Sequence, residues 1–83
     1  MSYEKDEHLL HEIHTIVNKN IDYIGELELD ESLNSVGLNS LRLIAMIVDL
    51  EEKFDIEFAD EEMLYENFST MRTIFEQIKA KTT

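Results

Sequence analysis

One serine stands where a hydroxyl can carry chemistry. Ser40 lies in the run Val36-Gly37-Leu38-Asn39-Ser40-Leu41, where a glycine-containing segment ends and a long apolar pattern of helical period begins. A hydroxyl at such a junction stands beside backbone N–H groups that have no partner within the helix, and the helix dipole favours negative charge there. A phosphate joined to that hydroxyl would sit in a favourable field. The same residues also have a plain architectural reading, because Asn and Ser are both favoured N-caps and start helices well.

The other candidate groups point to no reaction. His8, His11 and His14 recur at intervals of three, and neighbouring pairs on a helix are close enough to share a metal. However, His11-Glu12-Ile13-His14 is not the His-Glu-x-x-His spacing of zinc proteases, so three surface histidines and no metal are expected. The acidic groups at 28–31, 49–52 and 60–62 lack the spacing and central glycine of a calcium loop. Paired carboxylates do acid–base work when two environments separate their pKa values, and nothing in the sequence marks such a cleft. The expected topology places no histidine near Ser40 to act as its base. Met46, Met63 and Met71 read as core filler, with side chains flexible enough to suit a variable apolar pocket. No catalytic residue is assigned, and the chain is not expected to be an enzyme.

These residues must be positioned by few elements. The chain has 83 residues, no cysteine, no proline and two glycines, Gly25 and Gly37. That length suits a single domain over 1–83, and the composition argues for helices joined by few breaks. Disulfides and Cys-ligated zinc are excluded, and thiol chemistry would need an attached group. The charged N-terminus is no secretory signal, and no stretch approaches a membrane span. A cytoplasmic, free, monomeric protein is therefore expected. The formal net charge of −12, from 19 acidic and 7 basic residues, disfavours nucleic acid and anionic membranes and speeds encounters with basic protein surfaces.

The periodicity predicts an all-α, small four-helix bundle of three main helices and one short helix, with a long first loop. The first helix covers 4–19, with Leu9, Leu10, Ile13, Ile16 and Val17 on one stripe, and Ile21 and Ile24 extend the pattern by a turn. The loop 25–39 is long for a small domain. Leu27, Leu29, Leu33, Val36 and Leu38 are expected to pin it, with a helical turn near 30–32. The second helix covers 40–54. Leu41, Ile44, Ala45 and Val48 lie on one stripe and Leu43, Ile47, Leu50 and Phe54 on the next, which predicts a wide buried face. Ser40, Arg42, Asp49, Glu52 and Lys53 are expected outside, with Met46 and Glu51 at the boundary. Ile56 and Phe58 are expected to point inward from a loop. Asp60 is expected to cap a short helix at 61–67 with Met63 and Leu64 inside, and Ser69 a last helix at 70–81 that buries Met71, Ile74, Phe75 and Ile78.

Three stretches at fixed spacing resemble acyl and peptidyl carrier proteins. They are Leu29-Asp30-Glu31-Ser32-Leu33, then Val36-Gly37-Leu38-Asn39-Ser40-Leu41, then Leu50-Glu51-Glu52-Lys53-Phe54-Asp55-Ile56-Glu57-Phe58. The order and lengths of the helices are similar too, so the likeness spans nearly the whole chain. The resemblance implies that a phosphopantetheinyl transferase attaches 4'-phosphopantetheine from coenzyme A to Ser40 through a phosphodiester. The thiol of that arm would then hold an acyl or aminoacyl group as a thioester. Partners so implied are the transferase, an acyl- or aminoacyl-loading enzyme, and downstream condensing or modifying enzymes. The second helix would be the main recognition surface, through Leu38, Asn39, Leu41, Arg42, Ala45, Glu51 and Glu52.

Two positions depart from that family pattern. Asn39 replaces the aspartate usual before the serine, which keeps the shape and loses the charge. A hydrogen bond to a charged partner is worth about 1.5–3 kcal/mol against roughly 0.5–1.5 for a neutral one, so loading by some transferases is expected to slow. Arg42, with Ala45 one turn on, stands where fatty-acid carriers often have acidic residues. The expectation is a carrier of a specialised pathway, of polyketide or nonribosomal peptide type. The competing expectations are a housekeeping fatty-acid carrier, or an unmodified acidic adaptor that docks on a basic partner.

Overall fold

The computed structural model describes residues 3–21, 23 and 25–82. Its helices are α1 (Tyr3–Ile21), α2 (Ser40–Phe54) and α3 (Met71–Thr82), with 3₁₀ turns at Leu33–Val36, Asp60–Glu62 and Tyr65–Phe68. α1 packs on α2 and α3, and the turn at Tyr65–Phe68 packs on α3 and α2. No helix among the described residues is long and apolar enough to cross a membrane.

α1 buries Ile13, Ile16, Val17 and Ile21, while Leu9 and Leu10 are half-buried at its margin. It runs on to Ile21 because that side chain continues the buried stripe. Ile24 lies outside the described residues. α2 matches its expected bounds, but its faces do not match. Leu43, Met46, Ile47 and Leu50 are buried, at the spacing of one helical stripe. Met46 is at the centre of the core and not at its boundary. The other apolar stripe stays in solvent: Leu41 is 82 % exposed, Ile44 62 % and Val48 45 %. With α1 on one side and the turn at Tyr65–Phe68 on the other, no further element among the described residues lies over it.

Two acidic residues of α2 are used internally. Asp49 is half-buried, where an exposed residue was expected, because Asn20 donates to its Oδ2 at 3.0 Å and Lys19 Nζ lies 3.5 Å from it. Glu51 Oε2 accepts the Phe58 N–H at 2.9 Å, which folds the chain back after Asp55 ends α2 in the left-handed conformation at φ 55.

The fourth, short helix expected at 61–67 is instead a pair of 3₁₀ turns. Asp60 does not cap it. The Ala59 N–H donates to Glu62 Oε1 at 2.7 Å, and the Glu62 N–H donates back to the Ala59 carbonyl at 2.9 Å. Met63 and Leu64 point outward, 40 % and 47 % exposed. Phe68 takes the core position, meeting Phe58 edge-to-face with ring centroids 5.2 Å apart. Ile56 is half-buried and Phe58 buried, both inward as expected. α3 is capped by Thr70 and not Ser69. Thr70 Oγ1 accepts the Thr73 N–H at 3.1 Å and Thr73 Oγ1 accepts the Thr70 N–H at 3.2 Å, while the Ser69 hydroxyl turns to the Glu66 carbonyl at 3.1 Å. Met71, Ile74 and Ile78 are buried and Phe75 packs beside them.

The long first loop is tied at both ends. Leu33 and Leu38 are buried, and Leu27 and Val36 are half-buried. Leu29 is mostly held by its backbone, since its carbonyl accepts the Arg72 N–H at 2.9 Å. The Leu33 N–H reaches the Ser69 carbonyl at 2.8 Å. Arg72 grips Asp30 through two hydrogen bonds, of 2.7 and 3.1 Å. That contact holds the Asp30 carboxyl below its ordinary pKa and raises that of Arg72. Glu62 is likewise held low, first by the Ala59 N–H and then by Lys81. The helical turn expected at 30–32 falls later, at Leu33–Val36. His14 is half-buried and not simply on the surface. Its Nε2 accepts the Leu27 N–H at 3.3 Å.

Candidate functional site: the head of α2

Each residue leading to Ser40 has a structural task. Gly37 adopts φ 117, a left-handed conformation that favours glycine, and its N–H closes the preceding 3₁₀ turn onto the Asn34 carbonyl. A Cβ there would lie 2.9 Å from the Ile21 carbonyl oxygen, so the approach of loop to α1 also demands glycine. Leu38 is 2 % exposed, and its N–H donates to the Leu33 carbonyl at 2.9 Å. Asn39 is the N-cap: its Oδ1 accepts the Arg42 N–H at 2.9 Å. Ser40 is then the first helical residue. Its side chain is exposed, and its hydroxyl makes no hydrogen bond to another described residue. The cap that Ser40 might have supplied is provided by Asn39, which leaves the hydroxyl spare.

Two side chains brace this loop from outside. Arg42 Nη1 donates to the Ile21 carbonyl at 3.1 Å and to the Gly37 carbonyl at 3.3 Å. The Tyr65 phenol donates to the Leu38 carbonyl at 3.1 Å and lies 3.0 Å from Asn34 Oδ1. Tyr65 belongs to an exposed apolar group, Met63-Leu64-Tyr65, and it links that group to the serine loop. The outward stripe of α2, Leu41, Ile44 and Val48, starts beside Ser40. Together these two segments hold every exposed large apolar side chain among the described residues except Leu29. The first turn of α2 contains no acidic residue.

The expected recognition residues divide in two. Asn39, Leu41, Ala45 and Glu52 are exposed near or along α2. Leu38 is not available to a partner, because its side chain is the anchor that buries the loop. Arg42 and Glu51 are half-buried and point into bonds within the protein. Ile44, Val48, Met63, Leu64 and Tyr65 were not expected at the site. The available signal was the width of the apolar arc on α2, which is more than one helix of a small bundle can bury.

The family model for the phosphopantetheine attachment site matches residues 11–78. The chain belongs to the acyl carrier protein family. An acyl carrier protein homolog from Mycoplasmopsis pulmonis is 43 % identical over 54 residues, covering 64 % of this chain and 71 % of that protein. The acyl carrier protein of Clostridium acetobutylicum is 38 % identical over 58 residues, 69 % of this chain and 73 % of its own length. In fold, the carrier is similar to a chain in the crystal structure of Bradyrhizobium japonicum glycine:[carrier protein] ligase complexed with glycylated carrier protein. The TM-score is 0.66 at 22 % identity, covering 88 % of this chain and 96 % of that one. The carrier is not an enzyme, and its prosthetic group is a covalently attached 4'-phosphopantetheine.

Proposed function

We propose that Ser40 is the attachment residue and that the carrier holds acyl or aminoacyl groups as thioesters in a specialised pathway of polyketide or nonribosomal peptide type. One observation carries the assignment. At the head of α2, Gly37, Leu38 and Asn39 are each committed to the fold, and the Ser40 hydroxyl is exposed without a partner among the described residues. The site fits a phosphodiester. Asn39 takes the Arg42 N–H, while the first-turn N–H groups of Ser40 and Leu41 and the positive end of the dipole favour the phosphate charge. When bound, the prosthetic group supplies the thiol that the cysteine-free chain lacks.

The chain's own residues would then present the arm. The apolar stripe Leu41, Ile44, Ala45 and Val48 gives the transferase, the loading enzyme and the downstream enzymes a surface that costs little to desolvate. Support for a specialised pathway comes from the character of this surface: it is apolar beside the serine, and two of the three acidic residues of α2, Asp49 and Glu51, are engaged within the protein, which leaves Glu52 exposed. An aminoacyl cargo is consistent with the glycylated state named for the fold neighbour.

Intact-protein mass spectrometry tests the assignment. The protein is incubated with coenzyme A and a broad-specificity phosphopantetheinyl transferase, beside Ser40→Ala. A gain of one phosphopantetheine in the parent alone is expected. A gain in the variant would move the attachment elsewhere, and no gain in either would favour an unmodified adaptor. The pathway is tested separately: loading by a fatty-acid malonyl transferase as fast as its own carrier would point to the housekeeping role.

A further inference from the structure

We infer that Arg42 is a positioning residue for attachment, a clamp that fixes the Ser40 hydroxyl by joining the end of α1 to the serine loop. The inference rests on Ser40 being the attachment residue. Arg42 is the third helical residue of α2 and is tied at no fewer than three points. Its N–H donates to Asn39 Oδ1 at 2.9 Å, and its Nη1 donates to the Gly37 carbonyl at 3.3 Å and the Ile21 carbonyl at 3.1 Å. The residues so joined are the one just before the serine, the one at the loop's left-handed turn, and the last residue of α1.

The chemistry of each contact suits the task. Ile21 ends α1, so its carbonyl has no partner within the helix. A cation is favourable at that end of the dipole. Gly37 is pressed against the same carbonyl, and a Cβ added to it would lie 2.9 Å from the Ile21 oxygen and 3.4 Å from Arg42 Nη1. Loop, helix end and guanidinium therefore meet at one point. A planar guanidinium sets the angle between its acceptors, whereas a lysine ammonium is a point donor on a flexible stem. Through Nη1, the guanidinium at this position thus reaches two carbonyl oxygens of the protein itself. Without the guanidinium, the Gly37 carbonyl loses its tie to the end of α1, and the segment 37–39 keeps the turn onto Asn34, the Leu38 contacts and the Asn39 cap. The hydroxyl then samples positions away from the one a transferase must meet. Misplacement of a reacting group by about 1 Å can cost on the order of a hundredfold in rate.

The test compares parent, Arg42→Ala and Arg42→Lys in two measurements: steady-state loading by the transferase with coenzyme A, and amide hydrogen exchange. For Arg42→Ala, kcat/KM should fall roughly tenfold, a part of the full misplacement cost. Exchange at Gly37, Leu38 and Leu43, whose N–H groups are hydrogen-bonded at the serine loop, should quicken while that of α3 is unchanged. Arg42→Lys should recover part of both. Faster exchange with unaltered loading would make Arg42 merely structural and overturn the inference. Slower loading with unaltered exchange would show direct contact with the transferase and overturn it as well. Failure of the underlying reading looks different: the parent itself would not load.

Discussion

The inward and outward faces of α2 are built from the same kinds of residue and meet opposite fates. Leu43, Met46, Ile47 and Leu50 are removed from water by α1 and the Tyr65–Phe68 turn. Leu41, Ile44 and Val48 are left in it. Burying an aliphatic side chain is worth about 1.5–3 kcal/mol, so the outer stripe forgoes a stabilisation that the inner stripe collects. A small domain has little stability to spare. An apolar surface next to the exposed Ser40 hydroxyl is best understood as kept for contact with other proteins.

The two faces should therefore separate cleanly under mutation. On the inner face, Leu50→Ala should lower stability by about 2–5 kcal/mol, seen as a large drop in the denaturant midpoint, while molecules that remain folded are still loaded. On the outer face, Ile44→Asp should shift stability by no more than about 0.5 kcal/mol yet reduce transferase kcat/KM roughly tenfold, the ~1.4 kcal/mol scale of one interface anchor. Unchanged kinetics in that variant would remove the docking role of the stripe. At the junction between the faces, Asn39→Ala should cost about 0.5–2 kcal/mol through loss of the N-cap, and Ser40→Ala much less, because Ser40 caps nothing. A thermal melt of the two variants would show the reverse order if Ser40 were the cap.

The smallest effect lies away from α2 and depends on pH. Asp30 has a lowered pKa in the folded protein through Arg72. Its contribution is present above the ordinary carboxylate pKa and is lost as the pH falls through that value toward the lowered one. The melting difference between parent and Arg72→Gln should thus be small at pH 7 and shrink further toward pH 3. A difference that grows on acidification would contradict the pairing.

Much of this was legible in the sequence, for identifiable reasons. The bounds of α2 were readable because Asn39 and Asp55 flank an unbroken apolar period. Which of its two stripes is buried was not, because periodicity reports spacing and not what covers a face. The caps of α3 and of the segment after Phe58 were misplaced by a residue. Ser69, Thr70, Asp60 and Ala59 compete for adjacent positions, and tertiary contacts such as Lys81 on Glu62 at 2.9 Å decide between them. The expected helix at 61–67 gave way to turns because Phe68, and not Met63 or Leu64, fits against Phe58. At the candidate site, the position of Ser40 at the head of α2 was plain from its neighbours. The inward turn of Arg42 was not, since it depends on where α1 ends.

The hydrogen bond from Tyr65 to the Leu38 carbonyl gives the molecule its own optical probe. The chain contains no tryptophan, so its ultraviolet emission comes chiefly from its three tyrosines, Tyr3, Tyr23 and Tyr65. The phenol of Tyr65 is fastened to the carbonyl of Leu38, two residues before Ser40, and a carbonyl acceptor alters how such a phenol emits. Any event that moves the serine loop would change that signal without a label, which makes Tyr65 a spectroscopic witness to loading and to the arrival of a partner.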